Sequence, residues 1–200
     1  MKKQKADSLN VLAFRELFDK DPFADIQRYV ADVAPALRHG KDTKTFVRTY
    51  IHNNSFFSDI HHQLTEFASD AFRQKVKPSY NFLSMYKDNG ICPLHIDRPQ
   101  CRFTIDYLIH QTSSQPWPIC VSQNLTDAER DAVTNGHPTE QKEIEAIISS
   151  HSWTTIELQP NDAVLYSGTH SWHYRPIRLR GTADLVFFHF VPEDFDGPLD

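Results

Sequence analysis

An α+β architecture, with helices in the N-terminal part buttressing a barrel-like double sheet in the C-terminal part, is predicted by three observations. In His95-Ile96-Asp97 two potential metal ligands lie two residues apart, so a regular strand presents both on one face. His173 follows Asp97 by 76 positions, chain enough for several strands to turn back and close a double sheet over a shared centre. The text around both halves is rich in strand formers, whereas residues before it show helical spacing. Two imidazoles and one carboxylate on a single face leave open positions on iron(II), which oxygen and a bidentate cosubstrate can fill together.

Ser8 to about Val76 reads as mainly helical, with apolar faces supplied by Phe14, Leu17, Phe18, Phe23, Ile26 and Tyr29. Asp21-Pro22 fits a helix start, since proline is tolerated in the first turn. Asn53 and Asn54 mark a break before an amphipathic helix over Phe57 to Val76, on which His61 and His62 are expected at or near the surface. Tyr80 to Tyr86 reads as an aromatic-rich strand, Lys87 to Gly90 as a turn, and Ile91 to Asp97 as the return stretch carrying the ligands. From Cys101 to Ile109 the period is two, Cys101, Phe103, Ile105 and Tyr107 alternating with Arg102, Thr104 and Asp106.

Gln115 to Val121 reads as a strand and Trp153 to Leu158 as resumed extended structure. Between them Thr126 to Arg130 and Glu140 to Ser150 look helical, flanking a loop at Thr134 to Pro138. This insertion, at about 122–152, is expected either to cover the mouth of the barrel or to decorate its surface. Leu158 to Gly168 is a turn feeding a short apolar strand, and Ala183 to Val191 a core strand expected beside the strand of His173. One domain over 1–200 results, with a mainly helical part at 1–78 and the sheet core at 79–191.

The composition suits a single globular core, at 200 residues with 40% hydrophobic and 12% aromatic content. A net charge of −5 provides no basic footprint for nucleic acid. No apolar run approaches a membrane span and Met1 to Lys5 lacks the apolar segment of a signal peptide, so a cytoplasmic protein is expected. Cys92, Cys101 and Cys120 form no CxxC pair, and neither a phosphate loop nor a Gly-x-Ser-x-Gly elbow is present. Among the eleven histidines His170 competes with His173 for the third ligand position, while His110 and His189 read as structural.

Together, Tyr86 before a glycine turn, His95-x-Asp97, Tyr107-Leu108, the approach Pro160 to Tyr166, and His173 within Trp172-His173-Tyr174-Arg175 resemble the iron(II)/2-oxoglutarate-dependent dioxygenases, close to the prolyl-4-hydroxylase-like branch. The resemblance covers Tyr86 to Val191. It implies a double-stranded β-helix (jelly-roll, cupin-like) core, with His95, Asp97 and His173 as the catalytic metal ligands. It implies iron(II), 2-oxoglutarate and O2, and hydroxylation or a related C–H oxidation with release of succinate and CO2. Tyr86 and Tyr107 match cosubstrate-contacting tyrosines.

Many members carry a basic residue for the far carboxylate of 2-oxoglutarate where this chain has Thr182 or Ala183. Arg102, Arg175, Arg178 and Arg180 are the replacements in the sequence. Arg175 is preferred, being two residues from His173 and held extended by Pro176. An iron oxygenase that does without 2-oxoglutarate, and a non-catalytic metal-binding protein, are the alternatives. A small molecule is the favoured substrate over an amino acid or peptide side chain, and the oligomeric state is open.

Overall fold

Two antiparallel sheets face each other in the computed structural model, which describes residues 2–4, 11–37, 39–113 and 115–200. In chain order the elements are β1 (Lys2–Gln4), β2 (Leu12–Arg15), α1 (Lys20–Arg28), β3 (Gly40–Asp42), β4 (Arg48–His52), α2 (Ser55–Gln63), α3 (Thr65–Phe72), β5 (Val76–Tyr86), β6 (Cys92–His95) and β7 (Phe103–Gln111). There follow β8 (Ile119–Ser122), α4 (Asp127–Asp131), α5 (Gln141–Ser150), β9 (Trp153–Ile156), β10 (Ala163–Tyr166), β11 (His173–Arg175) and β12 (Ala183–Pro192).

The large sheet has the order β1-β2-β10-β7-β12-β5-β4-β3 and the small one β6-β11-β8-β9. From β5 onward the chain crosses from one sheet to the other at nearly every turn, which is the winding of a double-stranded β-helix. That winding overturns one expectation. β12 lies not beside the His173 strand but across the barrel from it, paired with β5 and β7 at the centre of the large sheet. Successive strands of such a chain face one another, so nearness in sequence does not mean pairing.

The alternation along β7 is present, but both of its faces are buried. Phe103, Ile105, Tyr107 and Ile109 join a core with Ile26, Phe57 and Leu64 from the helices, whereas Leu108 belongs to a second core inside the barrel. Parity along the strand therefore chooses between two interiors rather than between core and solvent. Burying these faces is the main stabilising contribution, at about 25 cal/mol per Å² of apolar surface.

The N-terminal part is mixed rather than mainly helical. β2, β3 and β4 extend the large sheet on both sides, while α1, α2 and α3 supply the helical layer. These strands are only three to five residues long, too short to compete with a helical reading on periodicity alone. Ser8 to Asn10 of the predicted helical span lie outside the described residues. The helix expected from Phe57 to Val76 is two, capped at its start by Asn54, whose side chain accepts the Phe57 N–H at 3.3 Å, and ended at Arg73 in the left-handed region (φ 53°). His61 is not near the surface: it is buried, its ring 5.4 Å from Phe188 and 4.5 Å from Phe190.

The insertion between β8 and β9 packs on the outer face of the small sheet. Ile144, Ile147 and Ile148 of α5 cover Leu94, Ile96 and Trp172. α4 is started by a capping box of Thr126 and Glu129. No helix among the described residues is long and apolar enough to cross a membrane.

Candidate metal centre

His95 closes β6 and His173 opens β11, and the two are direct cross-strand partners, with ring centroids 4.1 Å apart. Asp97 stands two residues beyond His95, where its backbone N–H is held by Gly168 O at 2.9 Å; the N–H of Ile96 is held by Gly136 O, from the insertion, at 2.8 Å. Asp97 Oδ1 lies 3.5 Å from His95 Nε2 and 3.6 Å from His173 Nε2. One ligand atom from each of the three falls within 4.8 Å of the others.

Each imidazole is oriented from behind. His95 Nδ1 is 2.8 Å from Pro93 O, and His173 Nδ1 is 3.0 Å from Ser171 O. A carbonyl only accepts, so Nδ1 carries a proton in both rings, and it is Nε2 of each that faces the shared centre and is the nitrogen a metal would take. Burial opposes charge on all three groups. The His173 charge and the hydrogen bonds of both histidines nevertheless hold the Asp97 carboxyl well below the usual range. Against burial, contacts with Asp97 raise His95 and His173. Without a metal the three therefore form a proton-sharing cluster, and a divalent cation satisfies the same carboxylate. Two nitrogens and one hard oxygen with no thiolate, gathered on one face, fit iron(II).

A second group, Asp97, Cys101 and His189, also falls within 4.8 Å. Here the side chains already serve one another. Tyr80 Oη is 2.8 Å from Cys101 Sγ, and Thr104 Oγ1 is 3.0 Å from His189 Nδ1. Burial and then the Asp97 charge push the Cys101 thiol up, so it stays protonated and is a poor ligand. Gly168 is the residue that sequence reasoning missed on this side. A Cβ there would sit 2.3 Å from Asp97 Oδ2 and 2.5 Å from Cys101 O, so only glycine leaves the carboxylate its place.

A cavity of about 270 Å³ is lined in part by His95, Asp97 and His173. Arg175 lines it, buried, donating from Nη2 to Asp106 Oδ2 at 2.9 Å and from Nη1 to Trp117 O, with its guanidinium 4.4 Å from the Trp117 ring centre. Asp106 Oδ1 has no partner among the described residues, and burial raises that carboxyl against the pull of Arg175. Tyr86 lines the same wall, and its hydroxyl accepts Arg48 Nη1 at 3.1 Å.

Arg48, on β4, was not among the sequence candidates. It also donates to Ser84 Oγ at 2.9 Å and lies 4.1 Å from the Phe46 ring centre, while its buried Nε has no partner. No carboxylate among the described residues pairs with it. The only signal available beforehand was the strand-like alternation of Arg48-Thr49-Tyr50-Ile51-His52.

Other candidates are placed elsewhere. Tyr107 points to the helix-side core, its hydroxyl on Asn161 Oδ1 at 2.9 Å and its ring edge-on to Phe18; its odd parity along β7 turns it away from the cavity. His170 is turned away from this centre, bonded to Arg102 and 3.4 Å from Asp127, and it is His173 that converges with His95 and Asp97. Arg102 itself ties down Ser167 and Thr169, and Arg178 and Arg180 are exposed outside the cavity. His137, from the tip of the insertion, stacks on His95 with ring centres 5.1 Å apart.

By sequence, no family model and no curated protein matches the chain. By fold it is similar to SnoK, a non-heme alpha-ketoglutarate-dependent carbocyclase from nogalamycin biosynthesis, at a TM-score of 0.70 and 6% identity over 92% of this chain and 80% of that one. It is similar to EctD from S. alaskensis, solved with 2-oxoglutarate and 5-hydroxyectoine, at 0.67 and 13% over 92% and 72%. HygX from Streptomyces hygroscopicus, solved with nickel, 2-oxoglutarate and hygromycin B, gives 0.63 and 12% over 93% and 84%. At these identities the likeness is one of fold, and it extends over nearly the whole chain.

Proposed function

We propose that the protein is a mononuclear non-haem iron(II) oxygenase that couples oxidative decarboxylation of 2-oxoglutarate to hydroxylation or a related C–H oxidation of a small molecule. The observation that carries this reading is the convergence of two oriented Nε2 atoms and one carboxylate beside a cavity also lined by Arg48, a guanidinium without a carboxylate partner among the described residues. Folds similar to this one that hold 2-oxoglutarate with small molecules support the same class.

His95, Asp97 and His173 would hold the iron, which when bound supplies oxygen activation, one oxygen atom going to the substrate C–H bond and the other, with loss of CO2, to succinate. The chain supplies the rest. Asp97 limits the positive charge that the site must bury. Arg48, with the Tyr86 hydroxyl and Ser84 beside it, receives the far carboxylate of 2-oxoglutarate, for which a planar guanidinium offers two parallel donors. Arg175 is less suited to that role than its position promised, because Asp106 already neutralises it; we assign it the shaping of the inner wall through Asp106 and Trp117. Arg48 thus stands in for the cation absent at Thr182 and Ala183, which favours a 2-oxoglutarate user over an iron oxygenase of another kind. Phe46 and His137 flank His95 and narrow the access of water to it.

The test is anaerobic addition of 2-oxoglutarate to the iron(II)-loaded protein, followed by visible absorption. A charge-transfer band that is absent in His173→Ala is expected. Iron binding without the band would turn the reading to a 2-oxoglutarate-independent oxygenase. Metal binding with no oxygen consumption under any condition would favour a binding protein.

A further inference from the structure

Outside the metal cavity the molecule opens into a vestibule of about 950 Å³, which shares Arg48, Tyr80, Phe82 and Arg98 with the inner cavity. Four cationic side chains line it, Lys41, Lys44, Arg48 and Arg98, against two carboxylates. Both carboxylates are engaged: Asp42 Oδ1 accepts the backbone N–H groups of Lys44 and Thr45 at 3.2 and 2.8 Å, and Asp200 is 3.1 Å from His52 Nε2. Arg98 donates from Nε to the Tyr80 hydroxyl at 3.1 Å and has no carboxylate partner among the described residues. A chain with a net charge of −5 therefore gathers positive charge at an opening that adjoins the cavity of His95, Asp97 and His173. A cleft lined by one sign of charge concentrates ligands of the opposite sign and speeds their arrival.

The walls between these cations are aromatic. Tyr50 stacks on Phe82 with ring centres 4.8 Å apart, and Tyr80 lies 4.7 Å from His52 and 4.6 Å from His189. With Arg48 committed to the cosubstrate, Arg98 and the lysine pair are left for the substrate. Building on the oxygenase reading, we infer that the substrate is a small organic anion. Its carboxylate or phosphate group is held in the vestibule by Arg98 with Lys41 and Lys44, its body lies along Tyr80 and Phe82, and its reacting carbon enters the inner cavity.

The experiment is calorimetry on the iron(II)- and 2-oxoglutarate-loaded protein under argon, with a series of arylalkyl carboxylates and phosphate monoesters. Each is paired with its primary amide or alcohol. The acids are expected to bind at least about tenfold more tightly than their neutral partners. That ratio should fall towards one in Arg98→Gln and in the Lys41→Gln/Lys44→Gln double variant, with the charge-transfer band reporting that each variant still loads metal and cosubstrate. Whichever series holds the preference identifies the anion. Neutral partners binding as well as the acids, no acid binding anywhere in the series, or a preference unchanged in both variants would overturn the inference. The two readings fail separately: a missing band in the iron(II)- and 2-oxoglutarate-loaded parent counts against the oxygenase, whereas a missing acid preference, there and in the same series on metal-free protein, counts against the anionic substrate.

Discussion

The two ends of the inner cavity are built in opposite ways. At the metal end, His95 and His173 are opposite each other on one antiparallel ladder, Asp97 follows two residues on, and backbone carbonyls fix both rings. At the end proposed for the cosubstrate, Arg48 comes from β4, Tyr86 from β5, Asp106 from β7 and Arg175 from β11. The first arrangement depends on the register of one strand pair and on the loop contacts that hold Asp97 beside it. The second needs only a guanidinium aimed at one volume, which several strands can provide. On the proposed reading, ligand geometry is fixed to particular positions, whereas the anchoring cation can come from a strand outside the barrel core.

If this contrast holds, damage at the metal end should be the most severe. Asp97→Ala is expected to abolish turnover, measured as succinate release. Gly168→Val, which forces a side chain into the Asp97 carboxylate, should weaken metal affinity about 10- to 100-fold by calorimetry while the protein stays folded. Retained affinity would mean that the carboxylate has room to move.

At the other end the two arginines should separate. Arg175→Met leaves Asp106 buried and uncompensated and should cost about 3 to 5 kcal/mol of stability in urea unfolding. Most of that should return in Arg175→Met/Asp106→Leu, where the pair is replaced by apolar groups. Arg48→Gln should instead leave stability nearly unchanged and raise the 2-oxoglutarate KM about ten- to a hundredfold. The reverse pattern would exchange their roles.

The smallest effect concerns a histidine at neither end. Burial, and then His189, lower His61 to about 3 from an ordinary value of 6.5. Between those values the unfolded chain binds a proton that the folded chain does not, so stability is full above about pH 6.5 and falls as the pH drops. The slope approaches about 1.4 kcal/mol per pH unit. His61→Leu should flatten the fall in urea midpoint between pH 7 and pH 5 relative to the parent, while a histidine that stays solvated would leave the two curves parallel.

Legibility in the sequence follows the same division. The convergence of His95, Asp97 and His173 could be read because extended chain places residues two apart on one face, although β6 ends at His95 and loop contacts hold Asp97 in place, and because the long interval to His173 allows the chain to return. Arg175 was placed in the cavity by the same parity argument, but its buried partner Asp106 lies 69 residues away, and nothing local announces it. Tyr107 was misjudged because the alternation along β7 separates two buried faces, and periodicity does not say which one holds the metal. β2 and β4 were missed because strands of four or five residues are defined by their pairing with β10 and β5 more than by their own composition. Local spacing by itself determined the ligand type, the strand faces and the double-sheet class, since those follow from backbone period and residue chemistry. Tertiary structure alone decided which sheet each strand joined, that Gly168 makes room for Asp97, and that Arg48 reaches the cavity, because each is a contact between segments whose separation in sequence carries no force.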